Sequence, residues 1–349
     1  MRILIIKTSA LGDIIHALPV LDYLKATLQD AEIGWVVEEH CKEILEGHPY
    51  LSHLHQLRSR KWRSSLFAVT TWCEIAATVS EIRAVGYDCI LDIQGNAKSG
   101  VVGLMSGVKR RLGFPTERMQ EWVNNLFVTE RTKYDPADNH ATLRCLSVAQ
   151  AICHEAYDIG QHLSRIAVNP TDEQRITSDL SGLKPGRKVL FHTGTTWQTK
   201  FWSPESWMQL GRVICRQYPD VSILLSWGNQ QEQGMVSLIA SGIGECARVA
   251  ERYQLKPFVA LLRQMDLVVG GDTGPVHLAA VLGTPTVSLY RSSDGSESGP
   301  RGAKHIIVQS PLPCTRCFKT SCSRDAECRA SITVAMMFDA VRQILTPED

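Results

Sequence analysis

The chain of 349 residues lacks several things, and each gap closes off a class of function. It has no apolar run near the roughly 18–20 residues that span a bilayer, so a transmembrane role is not expected. The apolar start Arg2 to Ile6 is too short for a signal-peptide core, and no cleavage site follows it. Net charge is only +1, which argues against a nucleic-acid partner held by bulk charge. After the first strand the chain reads KTSALGD, not the Gly-x-Gly-x-x-Gly of a Rossmann oxidoreductase. Eleven cysteines is an odd count for a disulfide framework. Cys41, Cys73, Cys89, Cys145, Cys153, Cys215 and Cys246 are expected as core or near-surface thiols.

What is present is an ordinary globular composition, 44% hydrophobic and 21% charged, long enough for two domains. Short apolar runs alternate with helical patterns. Strands are expected at 2–6, 33–39, 87–93 and 109–114, with helices at 14–28, 72–85 and from about 97 to Met105. The plan repeats. Strands are expected at 187–193, 221–228, 266–272 and 284–291, with helices at 203–216, 232–241, 257–265, 275–282 and 333–345. Strands alternating with helices imply βαβ units and parallel sheets. The boundaries follow: a Rossmann-like domain at 1–165, a polar linker at 166–185, a second such domain at 186–330, and a closing helix at 331–349 expected to pack back on the first domain.

Two strand ends carry anion-binding chemistry. In VVGGDTGPVHLAA, Asp272, Thr273 and Gly274 precede a helix opened by Pro275, and His277 lies in its first turn. A helix N-terminus offers unpaired N–H groups and the positive end of a dipole. The plainer reading is that Asp272 or Thr273 only caps the helix. In HTGTTWQTKFW, Thr195 and Thr196 offer hydroxyls and Lys200 a point charge. Alone, this is an ordinary β–α loop.

KTSALGDIIHALP, WVVEE, DIQGNAKS, TTWQTKFWSPESW, SWGNQQE and GGDTGPVHLAAVLGTPTVSLY occur in one order across almost the whole chain. This series resembles the ADP-heptose:lipopolysaccharide heptosyltransferases, glycosyltransferase family 9, with the N-terminal half most like heptosyltransferase I. The resemblance implies an α/β GT-B fold, two Rossmann-like domains facing across a cleft. It implies inverting, metal-independent transfer of L-glycero-D-manno-heptose from ADP-heptose to Kdo-lipid A. The enzyme would be cytoplasmic, on the inner face of the inner membrane.

Residue roles follow from the same resemblance. Asp13 is the expected base that deprotonates the acceptor hydroxyl; on sequence alone it reads as a helix cap. The donor set is Thr195, Thr196, Lys200, Glu232, Tyr253, Asp272, Thr273, Gly274 and His277, with Glu232 on the ribose and Tyr253 against adenine. The acceptor set is Arg58, Arg60, Lys61 and Arg63 around Trp62, with Lys98 and Arg118. A basic run is otherwise a solvated face. Gln120 stands where this family would have an arginine, so Arg118 takes that role or the acceptor differs. Other acceptors, the second core heptose or a protein hydroxyl, stay open, as does a non-catalytic nucleotide- or metal-binding module. Cys314, Cys317, Cys322 and Cys328 form C-x2-C-x4-C-x5-C. They fit a structural zinc or iron site, free thiols or a disulfide, outside catalysis.

Overall fold

The computed structural model describes residues 1–133, 135, 139–156 and 164–346. The chain divides into two compact units, Met1–Ala167 and Val168–Asp349.

The first unit is one all-parallel sheet flanked by helices. Its strands are β1 (Arg2–Ile6), β2 (Glu32–Glu38), β3 (His53–Leu57), β4 (Cys89–Asp92), β5 (Arg110–Gly113) and β6 (Glu130–Arg131). They lie in the order β3-β2-β1-β4-β5-β6. Ile3 to Ile6 are fully buried, as expected where both faces of a parallel sheet are covered. The helices are α1 (Leu11–Ala17), α2 (Pro19–Thr27), α3 (Ser59–Ser64), α4 (Val69–Val85), α5 (Ala97–Met105) and α6 (Ala141–Cys153). The single helix expected at 14–28 is two, because Pro19 has no N–H to continue the ladder and instead opens α2. The basic stretch after Leu57 is the short helix α3, not a loop.

The second unit repeats the plan. Its strands are β7 (Lys188–His192), β8 (Ser222–Ser226), β9 (Ala247–Val249), β10 (Leu267–Gly271), β11 (Thr286–Tyr290) and β12 (His305–Gln309), in the order β12-β11-β10-β7-β8-β9, again parallel. Its helices are α7 (Pro170–Leu180), α8 (Pro204–Gln217), α9 (Gln230–Ile243), α10 (Leu255–Arg263), α11 (Gly274–Val281), α12 (Gly295–Ser298), α13 (Asp325–Ala330) and α14 (Val334–Leu345).

Two expectations are corrected here, for the linker and for two cysteines. The stretch expected as a linker contains α7, which buries Ile176 and Leu180 and packs on α10. The closing helix α14 packs within the second unit. It buries Met337, Val341 and Leu345 in the second unit's core, against α8 and the β11–β12 edge. Cys215 of α8 and Cys246 before β9 are not separate thiols but a disulfide.

In both sheets the strand order reverses direction once, between β1 and β4 and between β7 and β10. At such a switch point the following connections leave to opposite faces, and a crevice opens beyond the strands' carboxyl ends. The two sites below lie at these points.

Candidate functional site

In the second unit, the β7 and β10 ends supply the chemistry. After β7 the chain runs through Thr195 and Thr196 to a 3-10 turn, Gln198–Lys200. The stretch is pinned immediately beyond Lys200. Trp202 is buried, with its indole N–H donating to the Ile332 carbonyl at 3.0 Å and its ring 5.0 Å from that of Trp207. After β10, Asp272 and Thr273 lead into α11, with Pro275 in its first turn.

Lys200 Nζ donates to Asp272 Oδ2 at 2.6 Å, and Asp272 Oδ1 lies 2.9 Å from His277 Nε2. Lys200 also sits 4.5 Å from the centre of the Trp197 ring. Burial by itself would raise the Asp272 carboxyl. The His277 hydrogen bond and charge, with the Lys200 ammonium, outweigh it and hold that group well below the usual carboxylate range. Thr273 does not cap α11 with its side chain; its hydroxyl donates to the Gly271 carbonyl at 3.3 Å. A side chain at Gly274 would enter open space, so glycine leaves the ground above the first turn clear.

Glu232 lies in the first turn of α9, whose N-cap Asn229 accepts from the Glu232 N–H. Its carboxylate accepts from the Gly228 N–H at 2.7 Å and from Asn229 Nδ2 at 2.8 Å. A Cβ at Gly194 would come 2.9 Å from that carboxylate carbon, so a side chain there would push the Glu232 carboxylate aside. Beside them, burial pushes His192 down to about 4. Tyr253 is held elsewhere: its hydroxyl donates to Asp179 at 2.8 Å, and the Arg175 guanidinium lies 5.5 Å from its ring centre. The structure thus gathers Lys200, Asp272 and His277, sets Glu232 against Gly194, and ties Tyr253 to α7.

In the first unit, a cavity of about 360 Å³ opens beyond β1 and β4. Asp13 lines it with Lys7, His16, Gln94, Arg118 and Arg144. Asp13 is the third residue of α1, and its Oδ2 accepts from the Ala10 N–H at 3.0 Å. The capping role is therefore real, and one carboxylate oxygen serves it.

Gln120 holds this cavity together. Its side-chain carbonyl accepts from Gln94 Nε2 at 3.0 Å and Asn96 Nδ2 at 3.3 Å, while Gln94 Oε1 accepts from the N–H groups of Thr8 and Ser9. An arginine has no acceptor and cannot close this relay. Lys7, His16, Gln94, Gln120 and Arg144 were missed in the sequence, because four separate chain segments supply them. Only the departure at Gln120 hinted at the relay.

The other expected acceptor residues lie apart. Arg58, Arg60, Lys61 and Arg63 are exposed on or next to α3 and do not line this cavity. Arg58 pairs with Glu39 at 3.1 Å and Lys61 with Glu74 at 2.6 Å. Lys98 donates at 2.7 Å to buried Glu38. Burial would raise that carboxyl, but the Lys98 and Ser59 hydrogen bonds lower it overall.

The cysteine-rich segment carries Cys314, Cys317, Cys322 and Cys328 as thiols outside any disulfide. Among the described residues, no three His, Cys, Asp or Glu side chains are gathered to hold an ion. Instead the segment braces the Lys200 turn. The Thr199 hydroxyl donates to the Lys319 carbonyl, and the Phe318 N–H to the Ser292 carbonyl. Arg291, wholly buried, donates to the Phe201 carbonyl and pairs with Asp325 at 2.6 Å.

A family model described as glycosyltransferase family 9 (heptosyltransferase) matches residues 75–327. The chain is 30% identical over 326 residues to lipopolysaccharide heptosyltransferase 1 of Pseudomonas aeruginosa, covering 93% of this chain and 88% of that protein. It is 28% identical to lipopolysaccharide heptosyltransferase 1 of Escherichia coli K12 over 320 residues, 89% of this chain and 94% of that protein. In fold it resembles E. coli heptosyltransferase WaaC with ADP (TM-score 0.77, 24% identity, 99% of this chain and 100% of that one). It also resembles a family 9 glycosyl transferase from Veillonella parvula (TM-score 0.81, 20% identity, 99% and 97%).

Proposed function

The chain belongs to glycosyltransferase family 9, the heptosyltransferases, and from that premise we propose that it moves L-glycero-D-manno-heptose from ADP-heptose to the Kdo-lipid A inner core of lipopolysaccharide. The observation that carries this reading is the Lys200–Asp272–His277 cluster beside the α11 N-terminus, at a sheet's switch point. An ammonium and the positive end of a helix dipole suit a nucleotide diphosphate. They also offset the charge that grows on it as the glycosidic bond breaks, without calling on a metal. Thr195, Thr196, Thr273 and Gly274 add donors to the same anion. Glu232, at the neighbouring strand end, suits the ribose hydroxyls.

The acceptor belongs in the cavity of the first unit. Lys7, Arg118 and Arg144 line it with Asp13 and Glu117, so three cations meet two carboxylates. Kdo is a sugar acid, and guanidinium groups bind carboxylates by paired donors. Asp13 takes the proton of the attacking hydroxyl. Attack from the face opposite the departing ADP inverts the anomeric centre. The basic α3 residues and Lys98 reach further parts of the same lipid-linked acceptor. No described helix is long and apolar enough to cross a membrane. The enzyme would meet its acceptor from the cytoplasm, at the inner membrane's surface.

The test is incubation with ADP-heptose and Kdo-lipid A, reading product mass. A product heavier by one heptose supports the assignment. Turnover only on an acceptor that already carries heptose, or on a protein, would overturn the acceptor and leave the donor standing.

A further inference from the structure

We propose that the outer face of α3, α4 and α5 is a docking surface for an anionic phospholipid bilayer, with the α3–α4 corner as the inserting element. The proposal rests on the reading above only in choosing a membrane as partner.

An apolar groove of about 380 Å³ runs between these three helices. Trp62 of α3, Trp72 and Ile75 of α4, and Val101 and Met105 of α5 line it. The tryptophans have no unmet polar need: Trp62 Nε1 donates to Glu74 at 3.0 Å and Trp72 Nε1 to the Leu66 carbonyl at 2.9 Å. Their rings therefore present apolar surface alone.

Beside the groove the corner projects outward. Phe67 is fully exposed, Val69 is 77% exposed and Trp72 58%. The corner is well ordered, since the Thr71 hydroxyl donates to the Ser65 carbonyl at 2.8 Å and the Ala68 N–H to the same carbonyl at 3.0 Å. Large apolar side chains held this far into solvent mark an interaction surface. Aromatic residues of this kind settle at the bilayer interface.

Charge chooses the partner. Arg58, Arg60, Lys61 and Arg63 are exposed at the same corner. Arg58 pairs with Glu39 and Lys61 with Glu74, so Arg60 and Arg63 carry the net positive charge of the corner. Basic residues near an anionic leaflet are attracted to it, and apolar insertion adds to this. A second copy of the chain would bring the same net positive charge against its own. A lipid surface brings phosphates to the cations and acyl chains to the groove.

The experiment is flotation of the full chain with vesicles of phosphatidylglycerol and phosphatidylcholine, or of phosphatidylcholine alone. Phe67→Asp/Val69→Asp is the variant, since both sites are solvent-facing and an acid at the start of α4 suits the helix dipole. The wild type is expected to float with the anionic vesicles, less so at high salt, with a blue shift of indole emission. The variant should bind at least tenfold more weakly with its thermal melt unchanged. Equal flotation of the two proteins, no flotation of the wild type, or a wild-type dimer that the variant abolishes would each overturn the proposal. Turnover of ADP-heptose on a deacylated, water-soluble acceptor separates the two readings. The variant should retain it, and its absence in the wild type would sink the proposed reaction without touching the surface.

Discussion

Lys200 Nζ lies 2.6 Å from Asp272 Oδ2, joining the exits of the two strands that flank the switch point of the second sheet. The ammonium is thus already aimed at the mouth of α11 by a carboxylate that stays ionised. A diphosphate arriving there shares a lysine held in place rather than capturing a free one.

Removing that charge should cost the donor most. Lys200→Ala is expected to weaken ADP binding about 10- to 100-fold, the range for a lost hydrogen bond to a charged group. Titration calorimetry with ADP reads this directly. Unchanged affinity would remove Lys200 from the donor site.

Asp13 accepts a hydrogen bond at the start of α1 and is proposed as the base, and one substitution separates the two roles. In Asp13→Asn the amide oxygen can still accept from the Ala10 N–H, so thermal stability should hold. The amide cannot take a proton, so turnover should fall about 10²- to 10⁴-fold, with ADP affinity intact. Turnover near wild type would leave Asp13 as a helix cap only.

Asp22 of α2 is buried, and burial pushes its carboxyl up to about 6 against the lowering pull of Arg165. Between its unfolded value near 4 and 6, the folded state binds more protons than the unfolded one, so stability falls as pH rises through that window. Asp22→Asn should therefore stabilise the protein by about 3 kcal/mol at pH 8 and very little at pH 4. Urea melts at the two pH values check the difference.

The Cys215–Cys246 bridge closes a stretch with a sequence separation of 31. On loop-closure entropy it contributes about 3–4 kcal/mol. Cys215→Ser/Cys246→Ser should lower the urea midpoint accordingly, and a reductant should lower the wild type alone. An equal response of both proteins to reductant would show the bridge adds nothing.

Strands and donor loops were legible because their signals are local. Val268 to His277 carries the buried strand, the glycine pair, the hydroxyl and the helix start in ten consecutive residues, and the structure keeps them together. The acceptor cavity was not legible in that way. Lys7, Gln94 and Gln120 come from distant loops and Arg144 from α6, which only the fold of the first unit makes neighbours. The basic α3 run drew attention by its density, yet density says nothing of where a side chain sits. The break at Pro19 needed only the missing N–H to be taken seriously. The packing of α14 and the Cys215–Cys246 pairing needed coordinates, since an apolar stripe or a thiol does not name its partner.

The brace around Arg291 and Lys319 has a practical consequence for anyone trimming the chain. A protein ending before Cys314 would keep every residue proposed to face ADP-heptose. It would lose Asp325 opposite Arg291, the Lys319 carbonyl that holds Thr199, and the Ile332 carbonyl that holds Trp202. The same cut would take α14, with Met337, Val341 and Leu345, out of the second unit's core, so the pocket would lose the packing beneath it along with its aim.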